Sequence, residues 1–178
     1  ALMLKKRIIP VLLLMNNRLV KTINFDNFKD VGNPISNAKI FNDSDADELI
    51  LLNINRKKRV SNSLIPVLKE ISKECFIPIS VGGGINSFND ASEIIKNGAD
   101  KIIINSICYN NYNFVRNLAS KLGRQAIVAS IDVKKINNNY SLFSNCGKQL
   151  NQISLEEHLL KLVKNDVCLD EVVDLTTI

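Results

Sequence analysis

The chain has 178 residues, of which 46% are hydrophobic, so one domain with a single hydrophobic core is expected. Its apolar runs, such as Ile8 to Met15, are shorter than the roughly 20 residues needed to cross a bilayer, so we expect a cytoplasmic protein without membrane association. The net charge of +5 comes from scattered lysines, and because the chain has no tryptophan for base stacking, nucleic-acid binding is not expected.

Apolar segments rich in β-forming residues alternate with segments of helical spacing, which predicts an α/β fold. The predicted strands are Arg7 to Leu14, Glu48 to Ile54, Phe76 to Val81, Lys101 to Asn105, Ala126 to Val133 and Glu171 to Thr176. The predicted helices are Pro34 to Ser44, Leu64 to Glu74, Ser87 to Lys96, Asn113 to Leu122 and Ser154 to Lys164. Because the strands are apolar without a break, we expect a parallel sheet that is covered on both faces.

A weak internal repeat favours a (β/α)8 barrel of the TIM type over an open sheet. In every second unit an acidic residue, Asp47, Asp100 or Asp170, joins the end of a helix to the next strand, as in a barrel of duplicated modules. Eight units take about 250 residues, and this chain carries five and a half to six. We expect residues 1–178 to form one incomplete barrel domain, truncated before strands 7 and 8; a mature partial barrel that pairs with another chain is the alternative.

Three consecutive glycines, Gly82, Gly83 and Gly84, follow the third predicted strand. Glycines at a strand-to-helix junction let the backbone approach a ligand closely and direct N–H groups toward phosphate oxygens. One unit later, Asn105 and Ser106 end the next strand, where barrel enzymes collect their polar groups. Two neighbouring loops therefore predict a phosphate-binding site, and a tight glycine turn without a ligand is the alternative.

The cysteine and histidine content argues against metal chemistry. Cys75, Cys108, Cys146 and Cys168 are too widely spaced for the close pairs of metal or redox motifs, so we expect reduced and mostly buried thiols. His158 is the only histidine and is expected at a solvent-facing helix position. No metal and no cofactor are expected.

Several segments resemble the cyclase subunit of imidazole glycerol phosphate synthase. They are Lys6 to Pro10, Arg18 to Lys21, Asn24-Phe25, Asp47 to Leu49, Val81 to Ile85, Gly98 to Lys101, Ile104 to Ser106 and Ser130 to Lys134. The resemblance runs from about Leu4 to Ile178 and is weakest between Asn145 and Asp170. It implies a barrel that forms a heterodimer with a glutaminase subunit, a class I glutamine amidotransferase. The resemblance also implies that the barrel takes ammonia from the glutaminase and uses it to cleave and cyclise a small-molecule substrate with a phosphate at each end.

The resemblance also implies roles for individual residues. Gly84 and the Asn-Ser pair would hold one phosphate, and Lys21 matches a lysine that the family places near the substrate, although a solvated lysine is the alternative. The family uses two aspartates as acid and base, and Asp132 matches the second, at the end of the fifth strand. Leu13 stands at the first position and cannot exchange a proton, so the usual two-carboxylate cyclisation is not expected. A further aspartate of the family is replaced by Asn53.

Four charged residues, Arg7, Glu48, Lys101 and Glu171, begin predicted strands and would form one ring at the bottom mouth of a closed barrel. Two cations and two anions can neutralise one another there, which makes burial tolerable. By resemblance this ring is the gate through which ammonia enters, and Asp100 matches a position that contacts the glutaminase. A salt-bridge plug that stabilises the barrel floor is the alternative.

The leucine run from Leu12 to Leu14 is the feature expected of paralogous subunits associated with sugar amidation in surface-polysaccharide synthesis. The leading expectation is therefore a lyase-type or cyclase-type subunit that receives ammonia and serves sugar amidation. One alternative is the authentic cyclase-lyase of histidine biosynthesis. A second is a non-catalytic partner that only docks to the glutaminase and activates it.

Overall fold

The computed structural model describes residues 6–23, 26–55, 61–137 and 139–167, together with the backbone of 173–174. The strands are β1 Val11–Met15, β2 Arg18–Ile23, β3 Asp26–Gly32, β4 Leu49–Asn53, β5 Ile79–Gly82, β6 Lys101–Ile104, β7 Ile127–Ile136, β8 Asn139–Ser144, β9 Gln149–Asn151 and β10 Val173–Asp174. The helices are α1 Pro34–Asp43, α2 Ile65–Glu74, α3 Phe88–Lys96, α4 Ser106–Asn110, α5 Tyr112–Leu122 and α6 Leu155–Lys164, with 3-10 turns at Ser61–Leu64 and Arg124–Ala126.

A parallel sheet forms the centre of the molecule. Its strands follow the order β1-β4-β5-β6-β7, and β10 pairs in parallel with β7. Every parallel connection carries at least one helix, so six strands and five crossovers follow the course of a (β/α)8 barrel. The α/β fold of the TIM type is confirmed, and among the described strands hydrogen bonds do not close the sheet.

The two faces of the central strands pack against different groups of residues. Leu12 and Leu14 belong to a large cluster that includes residues of α2, α3 and α5, whereas Leu13 belongs to a smaller cluster. The smaller cluster consists of Leu13, Val20, Ile50, Leu52, Ile54, Ile103 and Val128. Since successive side chains of a strand point to opposite faces, burial on both faces explains the unbroken apolar strands.

Two antiparallel hairpins extend the sheet beyond the predicted strands. β2 pairs with β1 and β3, and Asn16 and Asn17, with φ of 50° and 61°, form the two-residue turn between β1 and β2. At the other side, β7 continues to Ile136 because its second half pairs with β8, which pairs with β9. Each hairpin begins with a central strand, β1 or β7, and extends from the edge of the sheet at which the cavity described below lies.

Some predicted strand limits were wrong. The first strand begins at Val11 rather than Arg7, and Ile8 is 73% exposed. Pro10 lacks the N–H that a ladder would use, although its carbonyl accepts from the Ile50 N–H at 2.9 Å. The last predicted strand is described only at Val173–Asp174.

His158 is fully buried, so the prediction of a solvent-facing position was wrong. Its ring stacks on Tyr109 with the centroids 4.1 Å apart, and its Nδ1 lies 3.0 Å from the hydroxyl of Tyr112. Burial, with a smaller effect from Lys161, lowers the pKa of His158 to about 4. The imidazole is therefore neutral at physiological pH and ties α6 to α4 and α5.

Cys75 and Cys108 are buried free thiols, and Cys146 is half-buried. Burial raises the pKa of Cys108 to about 12, which makes this thiol inert. Cys168 lies outside the described residues. In the described part of the chain, no three His, Cys, Asp or Glu residues gather in a group that could hold a metal, and no helix has the length and apolar character of a membrane span.

Candidate active site

A cavity of about 120 Å³ lies at the carboxyl ends of β4 to β7. Its polar lining comes from all four strand ends, because parallel strands place their carboxyl ends at one edge of a sheet. The lining includes Asn53, Gly83, Gly84, Asn86, Asn105, Ser106, Ser130 and Asp132, with Cys146 from the turn between β8 and β9. Leu52, Ile54, Ile85, Ile103, Ile104 and Ile107 form the apolar part. The predicted phosphate loops and the predicted catalytic aspartate thus meet at one cavity.

The glycine turn after β5 is shaped by close approach to β4. Gly83 and Gly84 have φ of 99° and 81°, a conformation that residues with a side chain rarely adopt. A Cβ on Gly83 would lie 2.1 Å from the carbonyl oxygen of Asn53. Gly82 is not part of the cavity lining, and its missing side chain makes room for Leu52 and Ile103. Gly82 therefore serves packing, while Gly83 and Gly84 bring backbone to the cavity.

Asp90 caps α3, the helix that follows the glycine turn. Its carboxylate accepts from the backbone N–H of Ser87 at 2.9 Å and of Asn86 at 3.2 Å, and the Ser87 hydroxyl accepts from the Asp90 N–H. This complete capping box pairs the N–H groups of Asn86, Ser87 and Asp90 within the protein. These three N–H groups are therefore already used, whereas Gly83 and Gly84 bring backbone to the cavity lining.

Asn105 and Ser106 connect β6 to α4 and contact two other parts of the cavity wall. The Asn105 amide donates to Oδ1 of Asp132 at 2.9 Å. The Ser106 hydroxyl accepts from the backbone N–H of Asn145 at 3.1 Å and lies 3.3 Å from the Asn145 side-chain oxygen. The turn between β8 and β9 is thereby held against the start of α4.

Asp132 is 7% exposed and lies on β7, where its carboxylate can meet a ligand in the cavity. Tyr109 on α4 lies close enough for the negative charge of Asp132 to affect the pKa of its hydroxyl. Burial, and to a lesser extent the charge of Asp132, raises the pKa of the Tyr109 hydroxyl, which stays protonated. The arrangement leaves a carboxylate oriented by an amide, the geometry expected of a general acid or base.

Leu13 and Asn53, the two positions at which the resemblance led us to look for aspartates, carry neutral side chains. Leu13 is 4% exposed and pairs in register with Leu52, which lines the cavity. Asn53 donates to the hydroxyl of Ser63 at 3.1 Å and accepts from the N–H of Asn55 at 3.0 Å. Neither side chain can exchange a proton with a ligand near neutral pH.

Lys21 lies on β2, where its side chain is exposed, and it does not line the cavity. It projects from the hairpin formed by β2 and β3, on which Arg18 and Asp30 form an ion pair of 2.8 Å. The structure therefore does not bring Lys21 to the residues that surround Asp132.

Three of the four predicted gate residues meet at the opposite edge of the sheet. Glu48 is 4% exposed and lies 2.9 Å from Lys101 Nζ and 4.0 Å from Arg7 Nη1. Its carboxylate also accepts from the Ser80 hydroxyl. Glu171 lies outside the described residues. Asp100 is exposed, and its carboxylate accepts from the Ile79 N–H at 2.8 Å, which fixes the start of β5.

The sequence analysis did not identify Asn86, Cys146 or Ser130 as site residues, although all three line the cavity. Ser130 precedes Asp132 by two positions on β7, so both side chains point to the same face. That spacing is a usable signal once the strand and the aspartate are known. Cys146 lines the cavity through a hairpin that was not predicted, so no comparable sequence pattern pointed to this residue.

These features define a class: α/β proteins of the (β/α)8 type with a glycine turn and a strand-end carboxylate at one cavity. Comparison with known families then identifies the chain as a member of the histidine biosynthesis protein family, whose profile matches residues 7–172.

Individual relatives agree with this assignment. The chain is 39% identical to imidazole glycerol phosphate synthase subunit HisF of Chlorobium chlorochromatii (strain CaD3) over 160 aligned residues. The aligned region is 90% of this chain and 64% of the relative. It is 42% identical to the protein of that name from Flavobacterium psychrophilum over 153 aligned residues. This region is 86% of this chain and 61% of the relative. The chain thus spans less than two thirds of the length of these curated relatives.

Proposed function

We propose that this chain acts as the cyclase-type barrel subunit of an imidazole glycerol phosphate synthase, a lyase-type activity. In this role it binds a phosphorylated substrate and uses ammonia from a glutaminase partner with which it forms a heterodimer. The observation that carries the proposal is the meeting of Gly84, Asn105, Ser106 and Asp132 at one cavity. The names of the relatives support this function, the alternative in the sequence analysis, over sugar amidation.

Asp132 is the proton-transfer group of the proposed reaction. Its bond to the Asn105 amide holds the carboxylate beside the loop proposed to bind phosphate. Because Leu13 stands at the position of the other carboxylate, only one face of the reacting centre has an acid or base. A missing general acid or base typically costs about 10² to 10⁴ in rate, so turnover should be slow.

The charged group at the opposite edge is proposed to admit ammonia. Glu48, Lys101 and Ser80 satisfy one another, and the smaller apolar cluster lies between them and the cavity. A neutral ammonia molecule can pass apolar side chains, whereas an ammonium ion pays a large desolvation cost. Asp100, exposed at this edge, is proposed to contact the glutaminase. A structural ion-pair plug would use the same charges without any effect on ammonia transfer.

A second candidate function is sugar amidation, and Leu13 is the observation that favours it. Leu13 is buried in the apolar cluster, as expected if cyclisation chemistry has been lost. In that case the phosphate-binding cavity and the ammonia path remain while the reaction differs.

The deciding experiment compares the full-length protein with its Leu13→Asp variant, using ammonium and the ribulose-type substrate of imidazole glycerol phosphate synthase. The proposal predicts slow, measurable cyclisation that rises at least about tenfold in the variant, since a second carboxylate is restored. Leu13→Asn, which adds polarity without a titratable group, is the matched control and should not raise the rate. No turnover in any of the three proteins, with the substrate still bound, would favour the sugar-amidation candidate.

A further inference from the structure

We infer that Ser130 is a ligand-binding residue, which together with Asn105 hydrogen-bonds a hydroxyl group of the substrate between the glycine turn and Asp132. This inference rests on the proposed function, since it takes the cavity as the site of a phosphorylated substrate. It adds a residue and a chemical requirement: the ligand must carry a hydroxyl close to its phosphate.

The position of Ser130 places it beside Asn105 at the cavity wall. Ala129 pairs in register with Ile104, so Ser130 and Asn105, which follow them, are neighbours where β6 ends, while β7 continues and pairs with β10 at Ser130. Along β7, Val128 belongs to the apolar cluster on the same face, and Ser130 comes next on that face before Asp132. Ser130 is thus the first polar residue above the apolar layer.

Ser130 is 2% exposed, and its hydroxyl oxygen has no hydrogen-bond partner among the described residues. The side-chain oxygen of Asn105 is equally enclosed and equally without a partner in the described part of the chain. Buried polar atoms are nearly always hydrogen-bonded, so two adjacent exceptions at a cavity indicate groups that a ligand satisfies. Both residues line the cavity, so a ligand there can reach them.

The chemistry of the pair selects the ligand group. Because the Asn105 amide nitrogen donates to Asp132, the remaining Asn105 oxygen can only accept a hydrogen bond. Ser130 can donate or accept. A ligand hydroxyl donates to Asn105 and accepts from Ser130, which satisfies both atoms. An ionised phosphate oxygen has no hydrogen to donate to Asn105, and a methyl group leaves both atoms unpaired.

Different residues of the cavity would therefore bind different groups of the ligand. The phosphate would be bound by the backbone of Gly83 and Gly84 and by Ser106, while the Asn105 side chain accepts a hydrogen bond from the neighbouring hydroxyl. Asn105 was predicted from the sequence as a phosphate-binding residue, and the inference moves the role of its side chain to the adjacent ligand group.

The test uses two phosphate monoesters of similar size, glycerol 3-phosphate, which carries hydroxyls, and n-propyl phosphate, which does not. Dissociation constants are measured by isothermal titration calorimetry with the full-length protein, Ser130→Ala, and the control Ser120→Ala on the exposed face of α5. We expect the natural protein and the control to prefer glycerol 3-phosphate about tenfold, the effect of one to two neutral hydrogen bonds. Ser130→Ala should lower that preference to about threefold, because the bond to Asn105 remains.

Binding of n-propyl phosphate by Ser130→Ala, at the affinity of the natural protein, shows that the variant is folded. Equal affinity of the natural protein for both esters overturns the hydroxyl subsite and leaves the phosphate site intact. A preference that stays at about tenfold in Ser130→Ala overturns the role of Ser130. If neither ester binds the natural protein, the proposed phosphate-binding function fails and the subsite fails with it.

Discussion

Acidification should destabilise this protein through His158, the only histidine in the sequence. In the folded state burial lowers the pKa of His158 to about 4 from the ordinary value of 6.5. Between these values the unfolded chain binds a proton that the folded chain excludes, so the free energy of unfolding falls as the pH falls. The contribution is fully present above about pH 6.5.

The size of the effect follows from the two pKa values. Their separation corresponds to about 3 kcal/mol once the pH is below both, and about 2 kcal/mol is lost by pH 5 relative to pH 7.5. Because folded domains are stable by only about 5 to 15 kcal/mol, a loss of this size is readily measured. The stacked Tyr109 and the nearby Lys161 provide no anion that would hold the protonated ring.

Urea unfolding at several pH values between 5 and 7.5 measures this loss, with His158→Phe as the comparison. Phenylalanine keeps a ring against Tyr109 and cannot titrate, although it loses the bond to Tyr112, at a cost of about 1 kcal/mol at pH 7.5. Carboxylates titrate in both proteins, so the difference between them isolates the imidazole. The natural protein should lose its advantage on acidification, and parallel pH profiles would refute the reasoning.

Three further substitutions test the site. Gly83→Ala should cost at least about 2 kcal/mol of stability, because the new Cβ meets the Asn53 carbonyl. The control Gly147→Ala, with φ of 72° and open space around it, should cost about 1 kcal/mol. Equal losses of the free energy of unfolding in urea would contradict the close approach. Asp132→Asn should reduce ammonium-dependent turnover by about 10² to 10⁴ with substrate affinity nearly unchanged, and intact activity of the complex would remove its catalytic role. Lys101→Ala should change glutamine-dependent turnover by several fold relative to ammonium-dependent turnover, and an unchanged ratio would leave Lys101 a structural ion pair.

The central strands could be predicted because strands that are buried on both faces have unbroken apolar sequences. Ile102 to Ile104 is apolar at every position, and such runs cannot belong to a half-exposed sheet. The hairpins were missed because their strands carry exposed polar residues. Asn16 and Asn17 between two apolar runs were a usable hairpin signal, since asparagine tolerates positive φ better than most residues.

The main elements of the candidate site were predicted for a different reason. Gly83 follows β5, Asn105 follows β6, and Asp132 lies where the parallel pairing of β7 ends, so parallel topology alone brings them to one edge of the sheet. The environment of His158 could not be predicted, because its partner Tyr109 is 49 residues away in the sequence and reaches it only through packing of α4 on α6. The hydrogen-bonding state of Ser130 is equally invisible in the sequence, since it depends on which neighbours fail to reach it.

The central claim is that the cavity at the strand ends binds the phosphate of the substrate. Amide chemical shifts of the full-length protein, followed by NMR during titration with n-propyl phosphate, test it most directly. The account predicts that the largest shifts occur at Gly83, Gly84 and Ser106, with none at Glu48 and Lys101 on the opposite edge. Saturable shifts centred on the opposite edge, or no shifts at the glycine turn, would contradict it.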